Sequence, residues 1–321
     1  MSFRAKIKEK MSKSVLGIYL LHFLRKLREK FSLLFYSDYR WIKKRYKKNF
    51  GSKINLKEPK TYFEKLNWLK LFYHTKDVEL CSDKYTVREY LEKKGYGEYL
   101  NPLIGVYDSV KEIDFNSLPE KFVIKLSHGS SWNIVCTDKS KLNVKKTKVQ
   151  LRCWQKEDIS VFGREWNYRS SPRKIIIEQF IDAPCLNDYK FVCFNGKVEY
   201  FQINQDIEGK HCLDYYDAEW SRLPIRLHGY NSSSIDRLEK PEKLLEMVKI
   251  AEELAKNFPC ARVDFYNPGD KIYIGEITFF TAGALHPFLP LDNIYDQRFG
   301  QKLQLPEPNY NIDLYNKLHD D

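Results

Sequence analysis

Four residues near the end of the sequence have the types and spacing of a phosphate and metal site. In CARVDFYNPGDKIYIGEITFFTAGA, Cys260 to Ala284, Arg262, Asp264 and Tyr266 alternate on one face of a predicted strand, and Val263 and Phe265 on the other. The turn Asn267 to Asp270 leads into a return strand, on which Glu276 and Thr278 share a face with Ile272 and Ile274. Cross-strand neighbours lie roughly 5 Å apart and diagonal ones roughly 7–8 Å. One or two Mg²⁺ ions, with oxygen ligands at about 2.1 Å, can bridge that span and hold nucleotide phosphates. The alternative is a half-exposed hairpin whose charges face water. The small-residue run Thr281 to Ala284 suits a close backbone approach better than a solvated face does.

Other residues upstream suit the same chemistry. Lys125 stands in the apolar strand Phe122 to Leu126, where a buried ammonium needs an anionic partner. The loop that follows, His128 to Ser131, offers the N–H groups and hydroxyls of Gly129, Ser130 and Ser131 to phosphate oxygens; a plain hairpin turn is the alternative. KIIIEQFI, 174–181, is a strand buried on both faces with Glu178 near its end, and the backbone leaving it can pair with an adenine edge. A second strand lysine, Lys190, lies in a hairpin that turns at Asn195-Gly196. On a helix from the cap Ser82 to the stop Gly95, Lys84 and Arg88 share a face; they either meet water or contact an anionic substrate.

The elements that position these groups are those of a folded chain of 321 residues, 43% hydrophobic and 15% aromatic. A Thr-capped helix is predicted near Lys57 to Leu71, and an amphipathic helix over Pro241 to Phe258. The net charge of +11 is uneven: residues 1–50 hold fifteen Lys or Arg against three acids, so the remainder is close to neutral. That distribution argues against a polyanion-binding body, and no nucleic-acid partner is expected. Seven cysteines without CxxC spacing suggest neither a disulfide frame nor a zinc site, and no cleavable signal is visible. A cytoplasmic location follows as the expectation.

Residues 15–36 carry Leu16, Leu20, Phe23, Leu27, Phe31 and Leu34 at helical spacing, with Arg25, Arg28, Glu29 and Ser32 opposite. The longest apolar run, Val15 to Leu24, is half a membrane span. Two readings stand: a helix packed on its own domain, or an interfacial helix held to anionic inner-leaflet lipid by Lys43, Lys44, Arg45, Lys47 and Lys48.

In chain order, the strand lysine with its Gly-Ser loop, the adenine-type strand, the second strand lysine and the Arg-x-Asp and Glu-x-Thr hairpin resemble the ATP-grasp superfamily. The TupA-like branch, named for teichuronopeptide biosynthesis and similar to proteins of bacterial capsule pathways, is closer still. The blocks that carry the resemblance are KTYFEKLNWLKL (60–71), DKYTVREYL (83–91), LPEKFVIKLSHGSSWNIV (118–135), DYKFVCFNGK (188–197) and RVDFYNPGDKIYIGEITF (262–279). The resemblance implies an α+β fold in which two lobes with antiparallel sheets hold ATP. The expected division is an arm (1–50), a helical substrate region (51–118), a small lobe (119–182) and a large lobe (183–321).

The resemblance also implies roles. Lys125 and Lys190 look like the lysines that hold ATP phosphates, with Gly129, Ser130, Ser131 and Asp188 beside them. Glu178, Gln179, Phe180 and Ile181 look like the adenine hinge. Asp264 and Glu276 look like the Mg²⁺ ligands, and Arg262, with Lys190, like the cations that steady the transferring phosphoryl group. Thr278 stands where the superfamily usually has an asparagine ligand, and Ser131 where a second glycine is expected. Lys84, Arg88 and His128 are candidate substrate contacts.

The implied reaction is carboxylate-amine ligation through an acyl phosphate. Its acceptor would be a uronic acid of a glycan, or its lipid-linked or nucleotide-linked precursor, and its donor an amino acid or small amine. A glycan kinase, a glycosyltransferase and a non-catalytic membrane-surface adaptor are the competing expectations. No DxD motif follows a Rossmann-like strand, so the glycosyltransferase leaves the lysine pair unexplained.

Overall fold

The computed structural model describes residues 10–183, 186–207, 210–233, 238–292 and 294–320. Two antiparallel sheets face each other across a cleft. The smaller contains β1 (Leu103–Tyr107), β2 (Phe122–Leu126), β3 (Asn133–Cys136) and β4 (Ile175–Gln179) in the order β1-β4-β2-β3. Its central strand is the isoleucine run, with Ile175, Ile176 and Ile177 fully buried, as expected of a strand covered on both faces. Lys125 pairs with Ile176, and Val123 with Glu178, so Lys125 and Glu178 share a face. On the other face Phe122, Ile124, Leu126, Ile175 and Ile177 form one core cluster with Leu151 of the helix α6 (Val144–Lys156).

The larger sheet contains β5 (Asp188–Phe194), β6 (Lys197–Ile207), β7 (Lys210–Asp217), β9 (Cys260–Tyr266) and β10 (Tyr273–Thr278), in the order β10-β9-β5-β6-β7. A short pair, β8 (Arg226–Leu227) with β11 (Phe288–Leu289), lies beside it. Asn195 and Gly196 both adopt positive φ, 50° and 80°, the pattern that lets a two-residue hairpin follow the sheet twist. Ala261, Val263 and Phe265 are fully buried in one large core with Met247, Ile250 and Leu254 of the helix α7 (Leu244–Ala255). Arg262 and Asp264 are left on the opposite face.

Before the sheets come α1 (Val15–Phe35), α2 (Asp38–Phe50), α3 (Tyr62–Phe72), α4 (Lys76–Ser82) and α5 (Thr86–Lys93). Thr61 caps α3 in a reciprocal box with Glu64, as the sequence suggests. Ser82, read as an N-cap, is instead the last residue of α4. The carboxylate of Asp83 takes the capping role, accepting from the N–H groups of Tyr85 and Thr86 at 2.9 and 3.2 Å. Within residues 51–118, Tyr62, Phe63 and Leu66 join the large core, while β1 is an edge strand of the small sheet.

Of the two readings of the arm, the apolar stripe departs from the one in which it packs on the body. In α1 the polar Glu29 and Ser32 are buried, while Leu16, Leu20, Phe23, Leu27, Phe31 and Leu34 are exposed. Arg164, 1% exposed, donates to the Ser32 carbonyl and hydroxyl at 3.0 and 2.9 Å, and Arg25 pairs with Glu157 at 2.6 Å. Charged groups of the body need partners, and the polar side of α1 supplies them. The apolar stripe is left facing out. Among the described residues no helix is long and apolar enough to cross a membrane. The six described cysteines are buried and unpaired; Cys185 lies outside the described residues.

Candidate functional site

The antiparallel register brings the predicted charges onto one sheet face. Lys190 of β5 lies opposite Asp264 of β9, which lies opposite Glu276 of β10, while Arg262 lies opposite Thr278. The last step depends on a bulge between Ile274 and Glu276. Ile274 pairs with Phe265 on the core side, then the register shifts and Glu276 turns to the cleft beside Asp264. Ile274 therefore does not share a face with Glu276, against the strict alternation read from the sequence. Gly275 supplies the bulge: a Cβ there would stand 3.1 Å from the Tyr266 ring.

The charges form one network. Arg262 grips Asp264 in a two-pronged contact, Nε to Oδ1 and Nη2 to Oδ2, both at 2.7 Å. Its Nη2 also reaches Glu276 Oε1 and Thr278 Oγ1, each at 3.1 Å. The Lys190 ammonium lies 2.6 Å from Asp188 and 2.5 Å from Asp264. Burial alone would lower the Lys190 pKa, but Asp188 and Asp264 together raise it above its ordinary value. Burial pushes the Asp264 carboxyl up to about 6, against the pull of Arg262 and Lys190. Burial would also raise Glu276, yet Lys84, Lys190 and Arg262 hold it well below the usual carboxylate range.

Opposite this face stands the small lobe. Lys125, Gly129, Ser130 and Ser131 line the same cleft, of about 480 Å³, as Asp188, Lys190, Arg262, Asp264 and Glu276. The side chain of Trp132 folds over Gly129, where a Cβ would meet it at 2.6 Å, and Ser131 holds a φ of 59° that glycine would adopt more easily. Lys84 ties the lobes together: its ammonium donates to the Gly129 carbonyl at 2.7 Å and pairs with Glu276 at 2.9 Å.

Other expected site residues are placed elsewhere. Glu178 is buried beside the cleft, 2.5 Å from the Lys125 ammonium and 3.5 Å from Arg88. Its Lys125 pairing is the anionic partner the strand lysine required. Gln179 donates its N–H to the Pro102 carbonyl and accepts from Asn101, and Phe180 and Ile181 follow, half-buried, past the end of β4. Arg88 donates to the Asn101 carbonyl at 2.8 Å and does not line the cleft. His128 does not either: it is buried with Nε2 3.3 Å from the Glu157 carbonyl, and burial lowers its pKa to about 4. Of the three substrate candidates, only Lys84 reaches the cleft. Thr278 sits behind Glu276, donating to its Oε1 at 3.2 Å.

Sequence reasoning missed Gln202 and Asn204 of β6, which lie opposite Lys190 and Asp188 and line the cleft. Polar residues two apart within VEYFQIN were the available signal. It also missed the support under Thr281 and Ala282, which line the cleft as well. Buried Lys70 donates to the carbonyls of Gly163 and Gly283, and Asn67 to that of Ala284 at 2.7 Å. These bonds hold Ala282, Gly283 and Ala284 at φ of 50°, 62° and 54°.

The donor set fits a hard cation. The Asp188 Oδ1 and Gln202 Oε1 atoms are buried in the cleft wall without a hydrogen-bond partner among the described residues, and Asp264 and Glu276 stand across the sheet from them. No group of three His, Cys, Asp or Glu side chains is already gathered as a metal site among the described residues. The carboxylates are occupied instead by Arg262, Lys190 and Lys84.

Two antiparallel sheets closing on lysines from both lobes and on an Arg-x-Asp/Glu hairpin define the ATP-grasp class of fold. The TupA-like ATPgrasp family model matches residues 64–304, and the chain belongs to that family. Similar solved structures include D-alanine–D-alanine ligase from Bacillus anthracis complexed with ATP, at 16% identity and a TM-score of 0.37, covering 62% of this chain and 55% of that one. N5-carboxyaminoimidazole synthetase from Staphylococcus aureus complexed with ADP matches at 12% identity and a TM-score of 0.39, covering 71% and 53%. L-amino acid ligase from Bacillus licheniformis matches at 17% identity and a TM-score of 0.38, covering 64% and 42%. The chain thus spans about half the length of these enzymes. No curated protein matches it.

Proposed function

We propose that the protein is an ATP-dependent carboxylate-amine ligase that joins an amino acid or small amine to a uronic acid in bacterial surface-polysaccharide synthesis. The observation that carries the reading is the sheet-face network of Lys190, Arg262, Asp264 and Glu276 directly across from Lys125 and the Gly129–Ser131 loop. Family membership supports the ATP chemistry.

In this reading the loop and Lys125 hold the ATP phosphates from one lobe, and Lys190 and Arg262 face them from the other. Asp264 and Glu276, with Asp188 and Gln202 nearby, would hold Mg²⁺, which supplies charge neutralisation on the phosphate oxygens. An acceptor carboxylate oxygen attacks the γ-phosphorus, the bond to the β-bridging oxygen breaks, and ADP leaves with an acyl phosphate formed. The amine nitrogen then attacks the acyl carbon, the carbon–oxygen bond to phosphate breaks, and inorganic phosphate leaves as the nitrogen loses its proton. No protein nucleophile is needed, because positioning and charge dispersal carry the first step.

The exposed apolar face of α1, with Lys43, Lys44, Lys47 and Lys48 exposed on α2, supports attachment to anionic lipid of the inner leaflet from the cytoplasmic side. The test of function is ADP release from MgATP with uronic acids and amines, together and apart. A glycan kinase would need no amine, and an adaptor would release no ADP.

A further inference from the structure

A second cavity, of about 990 Å³, lies between α1 and α6. It shares Ser130, Ser131 and Trp132 with the nucleotide cleft, so the two spaces meet at the phosphate loop. Along α1 the groove is lined by Leu21, Leu24, Arg25 and Arg28. Leu24 is 42% exposed and belongs to the outward apolar face of the helix.

We infer that this groove is the acceptor subsite and that it takes an amphiphile: an apolar chain joined to an acidic sugar head. The inference rests on the ligase reading and deepens it, choosing a lipid-linked acceptor over a free or nucleotide-linked one. Three observations carry it. The first is continuity, because a head lying in the groove reaches the Ser130–Ser131 loop, where the γ-phosphoryl group would be held.

The second is charge. The Arg25 guanidinium lies 5.1 Å over the Trp132 ring while paired with Glu157, and Arg28 is exposed with no ion pair among the described residues. The Arg25–Glu157 pair lines the groove as a neutral unit stacked on Trp132, so Arg28 is the uncompensated cation that an acidic head meets there. The third is the apolar outlet. A wholly polar acceptor has no use for Leu21 and Leu24, whereas an alkyl chain leaving the groove continues onto the α1 stripe and into a bilayer.

The test uses the full chain and three soluble probes below their micelle concentrations: decyl β-D-glucuronide, glucuronate and decyl β-D-glucoside. Binding is followed by tryptophan fluorescence and confirmed by titration calorimetry. Decyl glucuronide is expected to bind at least about tenfold more tightly than either other probe, since it alone uses both the cation and the outlet. Leu24→Glu should remove the gain due to the decyl chain, and Arg28→Glu should weaken both acidic probes, with ATP affinity unchanged in each.

Equal binding of decyl glucuronide and decyl glucoside would mean adsorption to the helix and would overturn the proposal. So would ADP release, with amines present, that is equal for glucuronate and decyl glucuronide and unchanged in both variants, although the ligase reading would then stand. Selective binding of decyl glucuronide that both variants abolish, without any ADP release, would uphold the groove and remove the ligase reading.

Discussion

The cleft and the N-terminal arm both set charged side chains against the body of the protein, and they differ in which side of each element faces inward. In β9 the rule of burial is obeyed: Val263 and Phe265 enter the core, and Arg262 and Asp264 meet only one another and their neighbours in the cleft. In α1 it is largely inverted: Ile18 packs on Val149 and Cys153, but Glu29 and Ser32 are also buried, and six apolar side chains at helical spacing point outward. The contrast teaches that the docked face of a helix is set by what its partner surface offers. Glu157 and Arg164, both buried on the body, each need an opposite charge or an acceptor: Arg25 and His22 of α1 meet Glu157, and Ser32 of α1 together with Asp38 of α2 meets Arg164.

The largest effect should come from the cleft. Glu276→Gln keeps the shape of the side chain and loses its charge, so MgATP turnover should fall by roughly 10²–10³-fold while the thermal midpoint stays close to that of the parent. ADP release and a melting curve check both halves, and near-normal turnover would break the cleft side of the comparison. In the arm, Arg164→Ala should free α1 from its seat at a cost of about 1–3 kcal/mol, because Ser32 and Tyr36 lose a buried donor. Hydrogen exchange should rise across Val15–Phe35 and stay unchanged in β9. Equal protection of α1 in variant and parent would show that the polar seat does not hold it.

An effect of similar size, but confined to a pH window, follows from His128, whose pKa is lowered to about 4 from 6.5 by burial. The unfolded chain binds a proton there before the folded one does, so this histidine's contribution is full above about 6.5 and is lost as pH falls toward 4. Relative to His128→Gln, the parent should lose about 1–3 kcal/mol across that window. Parallel stability curves for the two proteins would remove the role. The smallest change in stability, within about 0.5 kcal/mol, is expected for Phe23→Ser with Leu27→Ser, because neither residue packs on the body. The same pair should lower co-sedimentation with anionic vesicles, and undiminished binding would detach the apolar stripe from the membrane.

Much of the cleft was legible because strand alternation and turn chemistry are local. Asn195-Gly196, the Thr61 cap and the 260–278 hairpin each announce themselves within a few residues. The bulge before Glu276 was not legible, since a single glycine reverses the alternation with no change in hydrophobic pattern. Lys84, expected on a helix face, lies instead in the turn between α4 and α5, and its link from Gly129 to Glu276 depends on how two distant segments close. The orientation of α1 was beyond periodicity altogether. Periodicity finds the apolar stripe, and only the partners of Arg25, Glu29 and Arg164 reveal which way it faces.

The most direct test of the central claim is ADP release from MgATP by the purified protein with decyl glucuronide, with and without a mixture of amino acids. The account predicts stoichiometric ADP and inorganic phosphate only when the acid and an amine are present together, with an amide as product. Sustained ADP release with neutral sugars and no amine, accompanied by a phosphorylated sugar, would contradict it and identify a kinase.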